Sequence, residues 1–164
     1  LPQPVIAQIH GTAAAAGCQL VATCDLAIAS TTAKFATPGV NIGLFCSTPM
    51  VAVSRKLPRK KVMEMLLIGD LVDGETALEF GLINRVVAYD QLEETVSNYA
   101  NKIREKSPLV LKIGKEAFYN QIDMPLADAY KYTAEVMTQN MLVQDANEGI
   151  NAFIEKRAPT WTGK

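Results

Sequence analysis

Several features that mark common classes of protein are scarce in this sequence of 164 residues. Its one histidine (His10) and three cysteines (Cys18, Cys24 and Cys46) form no CxxC or HExxH spacing, so no metal site is expected. The cysteines lie beside apolar residues and are expected to be buried, reduced thiols. No apolar run approaches the ~18 residues of a membrane span, so no membrane partner is expected. A formal net charge of −1 argues against a general nucleic-acid-binding surface.

The residues that are present favour a folded domain with an ample core. Apolar residues make up 49% of the chain, which argues against disorder. No signal or transit segment is visible, and the sequence begins at Leu1 without an initiator Met. We therefore expect a processed product or a piece of a longer chain.

The pattern of apolar and turn-forming residues predicts strands and helices first and helices alone afterwards. Strands are predicted at 4–9, 26–30, 34–37 and 82–87, and helices at 14–23, 47–57, 59–68, 76–80, 90–106, 108–121, 125–142 and 145–156. The chemistry of the sequence changes near Tyr89, which divides it into residues 1–89 and an all-helical part, residues 90–164. We expect the two parts to form one continuous structural unit.

One stretch of small residues, from Gly11 to Gly17, separates two apolar segments. Small residues let one backbone approach another, or let a ligand approach the backbone. A helix that begins within this stretch would also point unpaired N–H groups at whatever lies in front of it. The stretch therefore predicts either tight packing of a helix on a strand or a ligand-facing helix start.

Four segments follow one another in an order that is specific. They are PVIAQIHGTAAAAGCQLVATCDLAIAS (4–30), KFATPGVNIGL (34–44), MEMLLIGDLVDGETALEFGLINRVV (63–87) and NEGINAFIEKRAPTW (147–161). Together they resemble the enoyl-CoA hydratase/isomerase (crotonase) family, and the resemblance covers essentially all of the sequence.

The resemblance implies an α/β fold, namely the C-terminal part of a spiral of ββα turns, followed by a helical region that builds trimers. Trimers of this family often pair into hexamers. The implied ligand and partner is an acyl-CoA thioester, with no separate cofactor, and the implied setting is mitochondrial fatty-acid metabolism. The N-terminal part of the family domain is not contained in this sequence.

The family holds the thioester oxygen in an oxyanion hole of two backbone N–H groups. Its GGGCE-type motif corresponds to Ala15-Ala16-Gly17-Cys18-Gln19, so the resemblance assigns one donor to the N–H of Ala16 and places Gly17 at the substrate. The other donor lies in an earlier loop that this sequence does not contain.

Hydratases of the family use two glutamates, and both corresponding positions are substituted here. The first position holds Gln19, and the second, in Phe35-Ala36-Thr37-Pro38-Gly39, holds Gly39. General acid–base catalysis is typically worth about 10²–10⁴ in rate, so hydratase activity is expected to be weak or absent. Restoring both carboxylates, by Gln19→Glu with Gly39→Glu, is expected to raise hydration of crotonyl-CoA.

An oxyanion hole needs no side chain, so other functions stay open. The chain is predicted to bind acyl-CoA, and decarboxylation of a malonyl-type thioester or thioester hydrolysis are alternative activities. A different alternative is a non-catalytic protein that acts through its oligomer or through its C-terminal helices.

Further positions have both a functional and a plain interpretation. The resemblance places Phe153 and Lys156 at the adenine and phosphate end of CoA, whereas ordinary helix packing with a surface lysine is the alternative. Asn41, Cys46 and Ser47 are predicted either to line the acyl pocket or to serve as a turn, a core residue and a helix cap.

Two charged features have mainly structural interpretations. Asp25 is interpreted as an organiser of the helix end and the following strand. The cationic run at 55–61 is expected to be a solvated face, with contact to CoA phosphates or RNA as alternatives.

Overall fold

The computed structural model describes all 164 residues, and the chain forms two compact units. One unit contains Val5–Ala100. The other contains Leu1–Pro4 together with Asn101–Lys164. The limit between the units therefore falls inside a long helix.

Six strands form two small sheets in the unit of Val5–Ala100. The strands are β1 (Ile6–Ile9), β2 (Thr12–Ala14), β3 (Leu26–Ser30), β4 (Lys34–Ala36), β5 (Val72–Asp73) and β6 (Arg85–Val87). One sheet is parallel and has the order β1-β3-β6. The other has the order β2-β4-β5, in which β2 and β4 are parallel and β5 is antiparallel to β4.

Helices connect these strands and form the rest of the chain. They are α1 (Ala16–Thr23), α2 (Ser47–Val53), α3 (Arg59–Ile68), α4 (Gly74–Phe80), α5 (Leu92–Arg104), α6 (Pro108–Gln121), α7 (Leu126–Met141) and α8 (Gln144–Glu155). Two short 3-10 helices span Pro38–Ile42 and Tyr89–Gln91. No helix is long and apolar enough to cross a bilayer.

The core of the unit of Val5–Ala100 surrounds the central strand β3. Residues Ala27 to Ser30 of β3 are buried, as expected for a parallel strand that is covered on both faces. One face of α1 contributes buried Cys18 and Val21 to the same cluster. The core therefore fixes α1 against the sheets and leaves its opposite face, with Leu20 exposed, outside the cluster.

The other unit contains a carboxylate that the sequence analysis did not single out. Asp145 is only 1% exposed, and it accepts hydrogen bonds from the Ser107 hydroxyl and from the backbone N–H groups of Thr162 and Gly163. The hydrogen bond from Ser107, followed by those from Thr162 and Gly163, lowers the pKa of Asp145 to about 2 even though burial opposes the shift. The C-terminal residues are thereby held against the starts of α6 and α8.

Some predicted elements have the observed bounds, whereas others differ from them. β3 and α3 have the predicted bounds. The alanine run was predicted to be helical from residue 14, but Thr12–Ala14 is strand β2 and α1 begins at Ala16. Alanine has little intrinsic preference for strands, so pairing with β4 determines this conformation.

Two other stretches differ from the prediction. Residues 38–42, for which no element is predicted, form a 3-10 helix. The predicted strand at 82–87 begins only at Arg85.

Candidate functional site

The start of α1 has an unusual backbone conformation. Ala15 has φ 48° and ψ −112°, a combination that glycine adopts readily and that strains a residue with a Cβ. Its N–H donates to the carbonyl of Ala36 at 3.0 Å, and its own carbonyl accepts from the N–H of Gln19 at 3.0 Å. These bonds tie the turn at Ala15 to the end of β4 and to the first turn of the helix.

The N–H of Ala16 opens α1 at this turn. The first N–H groups of an α-helix have no partner within the helix, and the helix dipole makes this end favourable for negative charge. Ala16 is exposed, and α1 has neither a side-chain cap nor an acidic residue in its first turn. The donor predicted at Ala16 is thus at a helix start that no side chain of the chain covers.

The pairing of β2 with β4 places the start of α1 next to the end of β4. Ala14 pairs with Ala36, and Ala15 continues the contact through its N–H. Thr37, Pro38 and Gly39 follow directly after Ala36. The pairing of these two short strands therefore places the start of α1 near the segment that leads from Ala36 into the 3-10 helix containing Gly39.

Gln19 lies one turn into α1 and is half-buried. Its backbone carbonyl accepts from the Thr23 hydroxyl at 2.7 Å, whereas its side-chain amide makes no hydrogen bond to another residue. An amide can position a proton-bearing group, but it cannot take up a proton near neutral pH as a carboxylate does.

Gly39 has no room for a side chain. A Cβ at this position would lie 2.8 Å from the carbonyl oxygen of Leu44 and 3.0 Å from the Cys46 thiol sulfur. The N–H of Gly39 donates to that sulfur at 3.3 Å. We therefore revise the expectation that Gly39→Glu with Gln19→Glu suffices to restore hydration, because the glutamate would collide with the following segment.

The side chains of three other residues singled out by the sequence analysis form hydrogen bonds within the chain. The amide of Asn41 donates to the Gly69 carbonyl at 3.2 Å. The Ser47 hydroxyl donates to the Phe45 carbonyl at 3.3 Å and does not cap α2. The carboxylate of Asp25 accepts from the Val5 N–H at 2.6 Å, which agrees with its interpretation as a structural organiser.

The chain is similar to known proteins over its whole length. The family model described as enoyl-CoA hydratase/isomerase matches residues 1–164. The chain belongs to this family. It is 51% identical over 162 residues to the enoyl-CoA hydratase domain-containing protein 3, mitochondrial, of Xenopus laevis, which covers 99% of this chain and 55% of that protein. It is 35% identical over 162 residues to the (E)-benzylidenesuccinyl-CoA hydratase of Thauera aromatica, covering 98% and 63%.

Solved structures of the family agree with the fold. The human enoyl-CoA hydratase domain-containing protein 3 superimposes with a TM-score of 0.95 at 49% identity, over 98% of this chain and 63% of that one. A Mycobacterium smegmatis enoyl-CoA hydratase gives a TM-score of 0.97 at 48% identity, over the same shares. The chain spans about half the length of the curated relatives it matches, 55% in the Xenopus protein.

The two positions predicted at the adenine end of CoA lie in the other unit of this family member. Phe153 is 85% exposed on α8 and borders a cavity of about 540 Å³ that also contains Ile150 and Trp161. Lys156 ends α8 in the left-handed conformation, with φ 56°. Neither side chain is needed to complete the core of its unit.

Two features of the site were missed by the sequence analysis. Thr37 is wholly buried, and its hydroxyl has no hydrogen-bond partner. Burial, together with the neighbouring Cys46 thiol, raises the pKa of Cys18 to about 11, so that this thiol stays protonated at neutral pH. The only signal in the sequence that could have singled out Thr37 is its position two residues before the substituted Gly39.

The remaining predictions concern charge and metals. Lys61 in the cationic run lies 3.7 Å from Glu64 and 4.4 Å from the centre of the Phe80 ring. The guanidinium of Arg55 donates to the Val51 carbonyl at 2.8 Å. Parts of the run are thus used in local contacts. No group of three or more histidine, cysteine or acidic side chains is placed to hold a metal ion.

Proposed function

We propose that this member of the enoyl-CoA hydratase/isomerase family binds an acyl-CoA thioester and stabilises its enolate through the N–H of Ala16. The observation that carries the proposal is the uncapped start of α1, held in a glycine-like turn by the bond between Ala15 and Ala36. One preorganised donor of this kind is worth about 10²–10³ in rate. Gly17, in the first turn of the same helix, is proposed to contact the substrate.

Hydratase activity of the chain is proposed to be weak or absent. Hydration requires a group that removes a proton from water and one that returns a proton to carbon, and neither Gln19 nor Gly39 can do so. Reactions that form an enolate without a strong base remain possible. Decarboxylation of a malonyl-type CoA is the clearest of these, because departure of CO₂ supplies the electron pair.

The wider setting is proposed from the relatives. The Xenopus relative is named as mitochondrial, which supports a mitochondrial location for this chain. A role in fatty-acid metabolism is proposed from the resemblance to the family alone. Phe153 and Lys156 are proposed to contact the nucleotide end of CoA. No separate cofactor or metal is proposed, and nucleic acid is not a proposed partner.

Calorimetry with butanoyl-CoA, with free CoA as the control, tests the binding proposal. We expect butanoyl-CoA to bind more tightly than CoA, because only the thioester presents an oxygen to Ala16. Turnover of malonyl-CoA and crotonyl-CoA then separates decarboxylation from hydration, and we expect faster conversion of malonyl-CoA. Absence of any binding to acyl-CoA would contradict the proposal.

A second candidate function is assembly without catalysis, and one observation favours it. The helices of the C-terminal unit leave large apolar side chains in solvent, with Leu126 75%, Tyr130 71%, Leu142 78%, Phe153 85% and Ile154 70% exposed. Exposed apolar patches of this kind commonly mark protein interfaces. We propose a homotrimer, or a hexamer of paired trimers, and sedimentation analysis of Tyr130→Glu against the parent tests it.

A further inference from the structure

The chain folds back after the 3-10 helix that contains Gly39, so that Leu44 and Cys46 contact Gly39. The N–H of Leu44 donates to the Gly39 carbonyl at 2.9 Å, and the N–H of Gly39 donates to the Cys46 sulfur at 3.3 Å. Both backbone polar groups of Gly39 are therefore bonded to residues five and seven positions later. Gly39, Leu44 and Cys46 are called the Gly39 clasp below.

The clasp closes only around a residue that lacks a side chain. A Cβ on residue 39 would meet the Leu44 carbonyl oxygen at 2.8 Å, the Cys46 sulfur at 3.0 Å and the Cys46 nitrogen at 3.3 Å. Two of these three atoms belong to the backbone and cannot rotate away. Any larger residue at position 39 therefore requires the segment at 44–46 to move.

Cys46 is the fixed end of this segment. Its side chain is buried, whereas the residues from Asn41 to Phe45 are exposed. Gly43 has φ 77°, and a Cβ at this position would meet nothing within 4 Å. Of the three contacts, only the one with the Cys46 sulfur can be removed by a side-chain substitution, whereas the Leu44 carbonyl can move only with the backbone.

We propose that Cys46 is a specificity-determining residue, because it keeps position 39 closed to the carboxylate that hydration would need. The catalytic consequence rests on the function proposed above, whereas the steric coupling does not. With no carboxylate at position 39, the substrate class remains the malonyl-type CoA thioester proposed above, whose reaction needs no strong base. Its bond from the α-carbon to the carboxylate breaks, CO₂ leaves, the electron pair forms the enolate, and a proton from water then completes acyl-CoA.

The steric part is tested by unfolding of Gly39→Ala, Cys46→Ala and the double variant. We expect Gly39→Ala to lower the folding equilibrium constant about tenfold or more, and to cost less in the Cys46→Ala background. Gly11→Ala is the matched control, since a Cβ there meets nothing within 4 Å. Equal costs for Gly39→Ala and Gly11→Ala would overturn the clasp.

The specificity part is tested by a gain of activity, which loss of structure cannot produce. The reference is the rate at which the variant Gln19→Glu with Gly39→Glu hydrates crotonyl-CoA. Adding Cys46→Ala is expected to raise that rate about tenfold or more, in the range of general acid–base catalysis. Equal hydration by both variants, when both are folded and bind butanoyl-CoA, would overturn the role of Cys46.

Binding data keep the two proposals apart. If the unfolding experiment shows coupling between positions 39 and 46 but the parent binds no acyl-CoA, the proposed function fails and the steric part of the inference stands. If the parent binds butanoyl-CoA but the two positions unfold independently, the proposed function stands and the clasp fails.

Discussion

The starts of α1 and α8 differ in whether the first turn of the helix contains an acidic side chain. α1 begins after Ala15 with no side-chain cap and no acidic residue in its first turn. α8 has Asp145 in its first turn, a buried carboxylate that accepts hydrogen bonds from Ser107, Thr162 and Gly163. The first start is open to a ligand, whereas the acid at the second is saturated by the chain itself.

This comparison separates two signals that are often treated alike. A strongly shifted pKa in a buried carboxylate suggests a functional site, but structural networks shift pKa values as well. At Asp145 every cause that lowers the pKa is a hydrogen bond from the same unit. The oxyanion donor proposed at the start of α1 is the backbone N–H of Ala16 and therefore has no titratable side chain that a pKa could reveal.

The largest expected effect comes from removing the donor at the start of α1. Ala16→Pro deletes the N–H, and proline is well tolerated as the first residue of a helix. We combine it with Ala15→Gly, since glycine accepts the backbone conformation at that position. Decarboxylation of malonyl-CoA by the double variant is expected to fall by about 10²–10³ relative to Ala15→Gly alone.

The single variant Ala15→Gly is the matched control for that experiment. It shares the altered turn but keeps the Ala16 N–H, so its rate should remain close to that of the parent. Equal rates for the single and double variants would show that Ala16 does not donate to the reacting oxygen.

At the start of α8, the hydrogen bonds of Asp145 are expected to stabilise the fold. Asp145→Asn leaves the Ser107 hydroxyl and two backbone N–H groups with a poorer acceptor, so the midpoint of thermal unfolding should fall by several degrees. Asp128→Asn is the matched control, because Asp128 lies exposed in the first turn of α7. Similar midpoints for both variants would mean that Asp145 does not hold the C-terminal residues.

The pH dependence of stability should have the same origin. The pKa of Asp145 is about 2 in the folded chain and about 3.9 in an unfolded one. A lowered folded pKa stabilises the fold above the unfolded value, so this contribution is lost as the pH falls from about 4 to about 2. Urea unfolding between pH 2 and 6 should show a steeper loss for the parent than for Asp145→Asn.

The sequence predicts the two helix starts unequally. The run of small residues predicts either tight packing or a ligand-facing helix start, and α1 begins at Ala16, two residues after the predicted start. The network of Asp145 could not be predicted, because its partner Ser107 lies 38 positions away and the others come from the end of the chain. The local sequence pattern indicates roughly where a helix begins, whereas tertiary contacts determine which hydrogen bonds the side chains at that start form.

The same limit applies at the substituted glutamate positions. Gln19 and Gly39 can be recognised from the sequence as residues without a carboxylate. That Gly39 has no space for one follows from its contacts with Leu44 and Cys46, which depend on the path of an exposed loop. A missing side chain is therefore visible in the sequence, whereas a closed space is visible only in the structure.

The smallest expected effect concerns the backbone strain at Ala15. A residue other than glycine at φ 48° and ψ −112° stores about 1–3 kcal/mol of strain, and glycine loses more entropy on folding. Ala15→Gly should therefore stabilise the fold by about 1 kcal/mol, measured by urea unfolding. Ala14→Gly, one residue earlier in β2, should instead destabilise it by about 0.5–1 kcal/mol. The same sign for both neighbours would mean that the turn at Ala15 is not strained, and that alanine and glycine serve equally well in front of the Ala16 donor.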